Sequence, residues 1–168
     1  TIIEVKNELE ASLGVKLHKA CIAAAGRVLK TALIHVEQEI DQTVIIDERR
    51  INALELLGME RAHQKVNTNL KESEMGYHCV GYTVSKYYLN DYEITSLKDH
   101  KGKKMGADVL ATFLPQEVVE SLYVVVQNAG MEVYSLTLEP IAAINVAIPE
   151  QFRLLNIALI DVGAGTSD

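Results

Sequence analysis

The last residues of the chain combine two acids with two glycines at the end of an apolar run. The sequence LNIALIDVGAGTSD carries Asp161, Gly163, Gly165 and Thr166 in this order. Glycines let the backbone turn sharply and approach a ligand closely, so amides from Gly163 to Thr166 can point at phosphate oxygens. Thr166 adds a hydroxyl donor, and Asp161 offers a carboxylate to a phosphate-bound magnesium ion, directly or through water.

A plain hairpin turn with an exposed aspartate is the alternative interpretation of this motif. A single glycine-rich turn is a weak signal, so the spacing leaves both phosphate binding and a structural turn open. Residues 156–162 before the turn are apolar on both faces, which predicts a strand in the middle of a covered sheet. The chain starts at Thr1 without a methionine and stops inside the motif, so we expect a piece of a longer protein.

Composition and charge restrict the classes of protein. Apolar residues make up 48% and charged residues 23% of the 168 positions, as in ordinary globular domains. The net charge of −7 argues against nucleic acid as a partner. Two cysteines without paired spacing, no signal peptide and no apolar run of about 18 residues predict a cytoplasmic protein. Its five histidines are scattered without the spacing of a zinc site.

The hydrophobic periodicity predicts a mixed chain of the α/β or α+β class. Apolar residues at helical spacing predict helices over 1–14, 47–66, 116–129 and 139–148. Strand patterns cover 19–31, 32–40, 77–97, 107–115, 132–138 and 156–162. We expect the two middle helices to pack on one face of a small sheet within 33–138.

Particular residues set the limits of these elements. Asp47 is a suitable N-cap, and Asn90-Asp91 is typical of a hairpin turn. Gly58 weakens its helix, which we expect to be continuous or divided into two pieces. Pro115 fits the first turn of the third helix.

The segment TLEPIAAINVAI, followed after a short loop by NIALIDVGAGTSD, resembles the actin and heat-shock-chaperone ATPase superfamily. In that superfamily a Glu-Pro-x-Ala-Ala helix precedes the second phosphate-binding hairpin, Asp-x-Gly-x-Gly-Thr. Residues 8–31 and 82–143 further resemble FtsA, a bacterial cell-division family, in the same order. The pilus-assembly family PilM is a close alternative, and a chaperone or ATPase enzyme of the superfamily is another.

The resemblance implies a division of the chain into three segments. Residues 1–31 would belong to the actin-like core, and 32–138 would form the inserted FtsA-type subdomain, a small sheet with two helices. Residues 139–168 would return to the core and begin its second domain. The specific motifs lie within the last thirty or so residues, where Ala164 and Ser167 depart from the usual glycine and threonine.

The resemblance also implies a function for the full-length protein. It would bind ATP and magnesium through Asp161, Gly163, Gly165 and Thr166, with Asp161 near the metal. Glu139 would orient the attacking water in a weak ATPase, although an acid that favours the helix dipole is the alternative for this residue. We expect the fragment alone to be inactive.

The family further implies a scaffold at the inner face of the cell membrane. Such a protein forms filaments, contacts other division proteins and tethers a tubulin-like division protein. Its membrane contact would lie in a region absent from these 168 residues.

Overall fold

The elements of the chain follow the predicted alternation of helix and strand. The computed structural model describes residues 1–25, 28–68, 75–149, 152 and 157–165. The helices are α1 (Ile2–Leu13), α2 (Glu48–Asn67), α3 (Gln116–Asn128) and α4 (Glu139–Ala147). The strands are β1 (Lys19–Ala24), β2 (Lys30–Glu39), β3 (Tyr77–Leu89), β4 (Tyr92–Ile94), β5 (Lys104–Pro115) and β6 (Glu132–Leu138). The predicted mixed α/β class is confirmed.

The chain divides into two compact units. The first unit contains residues 1–27 and 119–168, and the second contains residues 28–118. The second unit is thus continuous in sequence and interrupts the first. The assignment of 1–31, 32–138 and 139–168 to core, insert and core remains a prediction.

A four-stranded antiparallel sheet forms the second unit, in the order β2-β5-β3-β4. The β3–β4 hairpin turns at Asn90 and Asp91, whose φ angles of 49° and 71° are left-handed. Asparagine and aspartate tolerate this conformation better than most residues, and the predicted turn is confirmed. The side-chain oxygen of Asn90 also accepts hydrogen bonds from the backbone N–H groups of Lys103 and Lys104, at 2.7 and 3.2 Å.

Helix α2 covers one face of this sheet. Its N-cap is Asp47, whose carboxylate accepts a hydrogen bond from the Arg50 N–H at 3.0 Å, as predicted. Alternate residues of β5 point at the helix and are 0–1% exposed: Met105, Ala107, Val109, Ala111 and Phe113. The Tyr87 hydroxyl donates a hydrogen bond from β3 to Glu55 of the helix. This layer is the hydrophobic core of the second unit.

Gly58 lies in the middle of α2 and faces Val109 of β5 at close range. A Cβ atom built on Gly58 would lie 2.4 Å from Cγ2 and 2.8 Å from Cβ of Val109. Glycine therefore lets the helix backbone pack directly on the valine. The helix continues through Gly58 without a break, because this contact stabilises it where the helix propensity is low.

Two expectations about the third helix are wrong. Pro115 ends β5, where it is the register partner of Tyr77, and α3 begins at the next residue. A proline is tolerated there because the last position of a strand need not donate to the ladder. The second expectation was that α2 and α3 both belong to the small sheet within 33–138. From Val119 onward, however, α3 belongs to the first unit, so α2 is the one helix lying wholly in the second unit among the described residues.

The first unit pairs β1 with β6 in parallel. Helix α4 contacts both strands. Lys6 of α1 donates a hydrogen bond to the Ala129 carbonyl at 3.0 Å, next to the end of α3. Gly14 and Gly130 follow α1 and α3 with φ angles of 67° and 70°, the left-handed conformation in which glycine commonly ends a helix.

We predict that Gly58→Ala destabilises the second unit by about 1–2 kcal/mol. The added methyl group overpacks the site against Val109, and this outweighs the gain of about 1 kcal/mol in helix propensity. Urea unfolding of the full chain measures the change in the free energy of unfolding.

Val109→Ala supplies the matched control. It removes Cγ2, the atom nearest to the added methyl group, but keeps Cβ at 2.8 Å, so Gly58→Ala should cost less in that background than with valine at 109. An equal effect of Gly58→Ala with valine and with alanine at 109 would contradict the close-packing explanation.

Candidate functional site

Glu139 lies where β6 ends and α4 begins. Leu138, the N-cap residue, is extended, with φ −89° and ψ 145°, and Pro140 occupies the first turn of the helix. Since β6 runs parallel to β1 and Leu138 pairs with Ala24, Glu139 follows the carboxyl edge of this strand pair. Ligands of open α/β sheets bind at that edge, so the position suits a polar functional residue.

The carboxylate of Glu139 is exposed at the N-terminal end of α4. It has no hydrogen bond or ion pair among the residues that the structure describes. An acid in the first turn interacts favourably with the helix dipole, and a free carboxylate can also orient water. The structure is thus compatible with both interpretations of Glu139.

Residues 157–165 carry the other described members of the predicted site. Residues 157–161 form no strand, and Val162 makes an isolated bridge. The prediction of a covered central strand is therefore wrong for this structure. A strand requires a partner along its length, and the described strands of the first unit pair as β1 with β6. The apolar residues remain exposed, with Ile160 at 74% and Val162 at 76%.

Asp161, Gly163 and Gly165 are exposed within this segment. A Cβ atom added to Gly165 would meet no other atom within 4 Å, so packing within the chain does not require glycine there. Close approach of a ligand would be a reason for glycine at this position. Thr166, the remaining predicted residue, lies outside the described residues.

The predicted site is not assembled by contacts within the described ranges. No hydrogen bond or ion pair there joins Glu139 to Asp161, and no cluster of three or more metal-ligating side chains occurs. The carboxylates of Glu139 and Asp161 are nevertheless exposed, and neither has a partner in the described part of the chain. Magnesium is commonly held by one or two carboxylates together with phosphates and waters, so these residues fit the ion by chemical type.

A cluster of polar and charged side chains that no sequence motif predicted lies on the sheet of the second unit. Four residues on three strands make hydrogen bonds there: His35, Glu37, Tyr88 and Asp108. Asp108 and His35 each interrupt an apolar strand sequence, which is a signal that alternate positions face away from the core. His35 and Asp108 lie close together because β2 and β5 pair.

No helix within the described ranges is long and apolar enough to cross a membrane.

Comparison with known proteins gives one informative similarity. No family model matches the chain. The cell division protein FtsA of Bacillus subtilis (strain 168) is 22% identical over 168 aligned positions. The alignment covers 96% of this chain but 35% of that protein, so the chain spans about a third of its relative's length. Over nearly its whole length, the chain is similar to one part of a cell division protein of the FtsA type.

Proposed function

We propose that this chain is part of an FtsA-like, actin-type ATP-binding protein that acts as a scaffold in bacterial cell division. The observation that carries the proposal is the similarity to FtsA across 96% of the chain. The structure supports it at one motif, since Glu-Pro-Ile-Ala-Ala begins a helix directly after a strand of a parallel pair.

The proposed site binds the phosphates of ATP with magnesium in the full-length protein. Asp161 holds the metal, directly or through water, and the amides from Gly163 to Thr166 hold the terminal phosphate. When bound, magnesium would supply positive charge opposite the phosphate oxygens. Glu139 orients the attacking water, and the full-length protein is a weak ATPase.

The proposed scaffold contacts several proteins. It assembles into filaments and links a tubulin-like division protein to the inner face of the membrane through a region outside these 168 residues. Exposed apolar residues of the first unit support a larger assembly of domains. Val5, Leu9 and Leu13 of α1 are 46–61% exposed, and Val146 of α4 is 89% exposed. Val5, Leu9 and Leu13 follow one another at intervals of four and so share one face of α1, and an exposed apolar helix face is commonly covered by another domain or chain.

We predict that Asp161→Ala weakens magnesium-dependent ATP binding by about 1–3 kcal/mol in the full-length protein. This equals roughly a 5- to 150-fold rise in Kd, because one charge-assisted contact is lost. Calorimetric titration with and without magnesium measures the effect. The exposed position of Asp161 suggests little change in stability without nucleotide.

The alternative interpretation of a plain turn gives the opposite result for Asp161→Ala. Nucleotide affinity would be unchanged, and thermal stability would fall because turn hydrogen bonds are lost. Equal affinity of the variant and the parent, measured with magnesium, would exclude the phosphate site.

We predict that Glu139→Gln slows ATP hydrolysis by the full-length protein about a hundredfold, the lower end of what a positioned acid or base contributes. The substitution keeps the size of the side chain and removes its charge. Single-turnover hydrolysis measures the rate, and ATP affinity should change little.

Glu132→Gln is the matched control for Glu139→Gln. Glu132 is an exposed acid at the opposite end of β6, so its neutralisation should leave hydrolysis unchanged. Equal rates for Glu139→Gln and the parent would leave Glu139 with the role of a helix-dipole acid. Fast turnover coupled to polypeptide release would favour a chaperone instead of a scaffold.

We predict that the 168-residue chain alone binds magnesium-ATP with a Kd no tighter than about 1 mM, or roughly −4 kcal/mol. Asp161 is exposed and has no cationic partner in the described part of the chain. Calorimetry on the isolated chain checks this, and a micromolar Kd would contradict it.

A further inference from the structure

The four-stranded sheet has a second face, opposite α2, which we call the open face. Ile34 and Val36 of β2 pack into the core beneath α2, so His35 between them points to the open face. His35 is paired in register with Asp108 of β5. Its Nδ1 atom lies 2.6 Å from Oδ1 of Asp108, and its Nε2 atom lies 3.1 Å from Oε1 of Glu37.

Tyr88 extends this contact to a third strand. Its hydroxyl donates a hydrogen bond to Oδ2 of Asp108 at 2.8 Å. The Tyr88 and His35 rings meet edge to face, with centroids 5.3 Å apart and an interplanar angle of 71°. We call His35, Glu37, Tyr88 and Asp108 the His35 network. It joins β2, at the edge of the sheet, to β5 and β3.

Both ring nitrogens of His35 face a carboxylate oxygen. A neutral imidazole has one N–H and one lone pair, so it can donate to one of the two carboxylates only. The lone pair would then face the other carboxylate, which repels it. The imidazolium form donates to both, and the geometry therefore selects the charged ring.

The electrostatics of the network agree with this geometry. Hydrogen bonds to Asp108 and then to Glu37 raise the pKa of His35 above its ordinary 6.5, although partial burial opposes the change. Burial raises the pKa of Asp108, but the hydrogen bonds from His35 and Tyr88 outweigh it and the net pKa is lowered. The pKa of Glu37 is lowered by His35 and by Lys104.

Neighbouring charges on the other strands already have partners. Lys104 of β5 lies 3.2 Å from Glu37 and also pairs with Asp91. Lys86 of β3 pairs with Glu93 of β4 at 2.7 Å. Lys104 thus shares Glu37 with His35, and among the described residues His35 is the one cation that contacts both Asp108 and Glu37.

We propose that His35 forms a pH-sensitive ion-pair bridge that holds the edge strand β2 to the rest of the sheet. When protonated, it bridges Glu37 and Asp108 and keeps Asp108 positioned for Tyr88. When it releases its proton to solvent, the ring keeps one N–H for two carboxylates, its cross-strand contact with Asp108 is no longer charge-assisted, and the open face becomes more negative beside an edge strand.

The direction of the pH effect follows from linkage. A histidine whose pKa is raised by folding stabilises the folded state below the ordinary value of 6.5. This stabilisation is lost as the pH rises through the higher pKa of the folded protein. The bridge from His35 to Asp108 and Glu37 therefore forms in mildly acidic solution and weakens toward alkaline pH.

The test combines two NMR measurements on the full chain. The first follows the His35 ring signals with pH, assigned by their loss in His35→Gln. We expect titration above 6.5, with a larger fall of the pKa in Asp108→Asn than in Glu37→Gln. His78→Gln is the matched control and should leave the titration of the His35 signals unchanged. His78 lies exposed on β3 of the same sheet, outside the network.

The second measurement is the protection of β2 amides against hydrogen exchange, corrected for the intrinsic pH dependence. We expect protection to fall about twofold to fivefold as the pH rises through the His35 transition, the range for one partly exposed charge contact. His35→Gln should abolish this step. Titration of His35 at or below 6.5 in the parent, or persistence of the step in His35→Gln, would overturn the proposal.

Discussion

The contact between α2 and β5 at Gly58 is the constraint on which the second unit depends. Because Gly58 lacks a side chain, the helix packs directly on Val109, and alternate residues of β5 are buried beneath it. This packing assigns every strand residue to one of two faces. The opposite face then receives the polar residues, including His35 and Asp108, whose contacts are oriented by the buried layer behind them.

The first unit depends on a different constraint, the parallel pairing of β1 and β6. Parallel strands need a long connection, and here the whole second unit lies between them in sequence. The pairing places Glu139 after the carboxyl edge, at the start of a helix, which is a favourable position for a functional acid. Asp161 and its described neighbours are exposed, and no hydrogen bond or ion pair within the described ranges joins Asp161 to Glu139.

The sequence by itself determined the local features. The Asp47 cap, the Asn90-Asp91 turn and the glycines after α1 and α3 were predictable because each depends on residues within a few positions. The helices were predictable for the same reason, since their hydrogen bonds join residues four apart. Of the candidate site, the sequence predicts roles for Glu139 and Asp161, and these stay predictions, while the distance between the two residues could not be predicted.

Only the tertiary structure decided the features that depend on distant residues. His35 and Asp108 are 73 positions apart and meet because β2 and β5 pair in one register. The run at 157–162 has the composition of a central strand, but a strand forms only with a neighbour that offers hydrogen bonds. The sequence indicates that Gly58 weakens α2, whereas in the structure the missing side chain lets the helix pack directly on Val109. In each case local sequence sets the preference of a segment, while its partner in space decides whether that preference is realised.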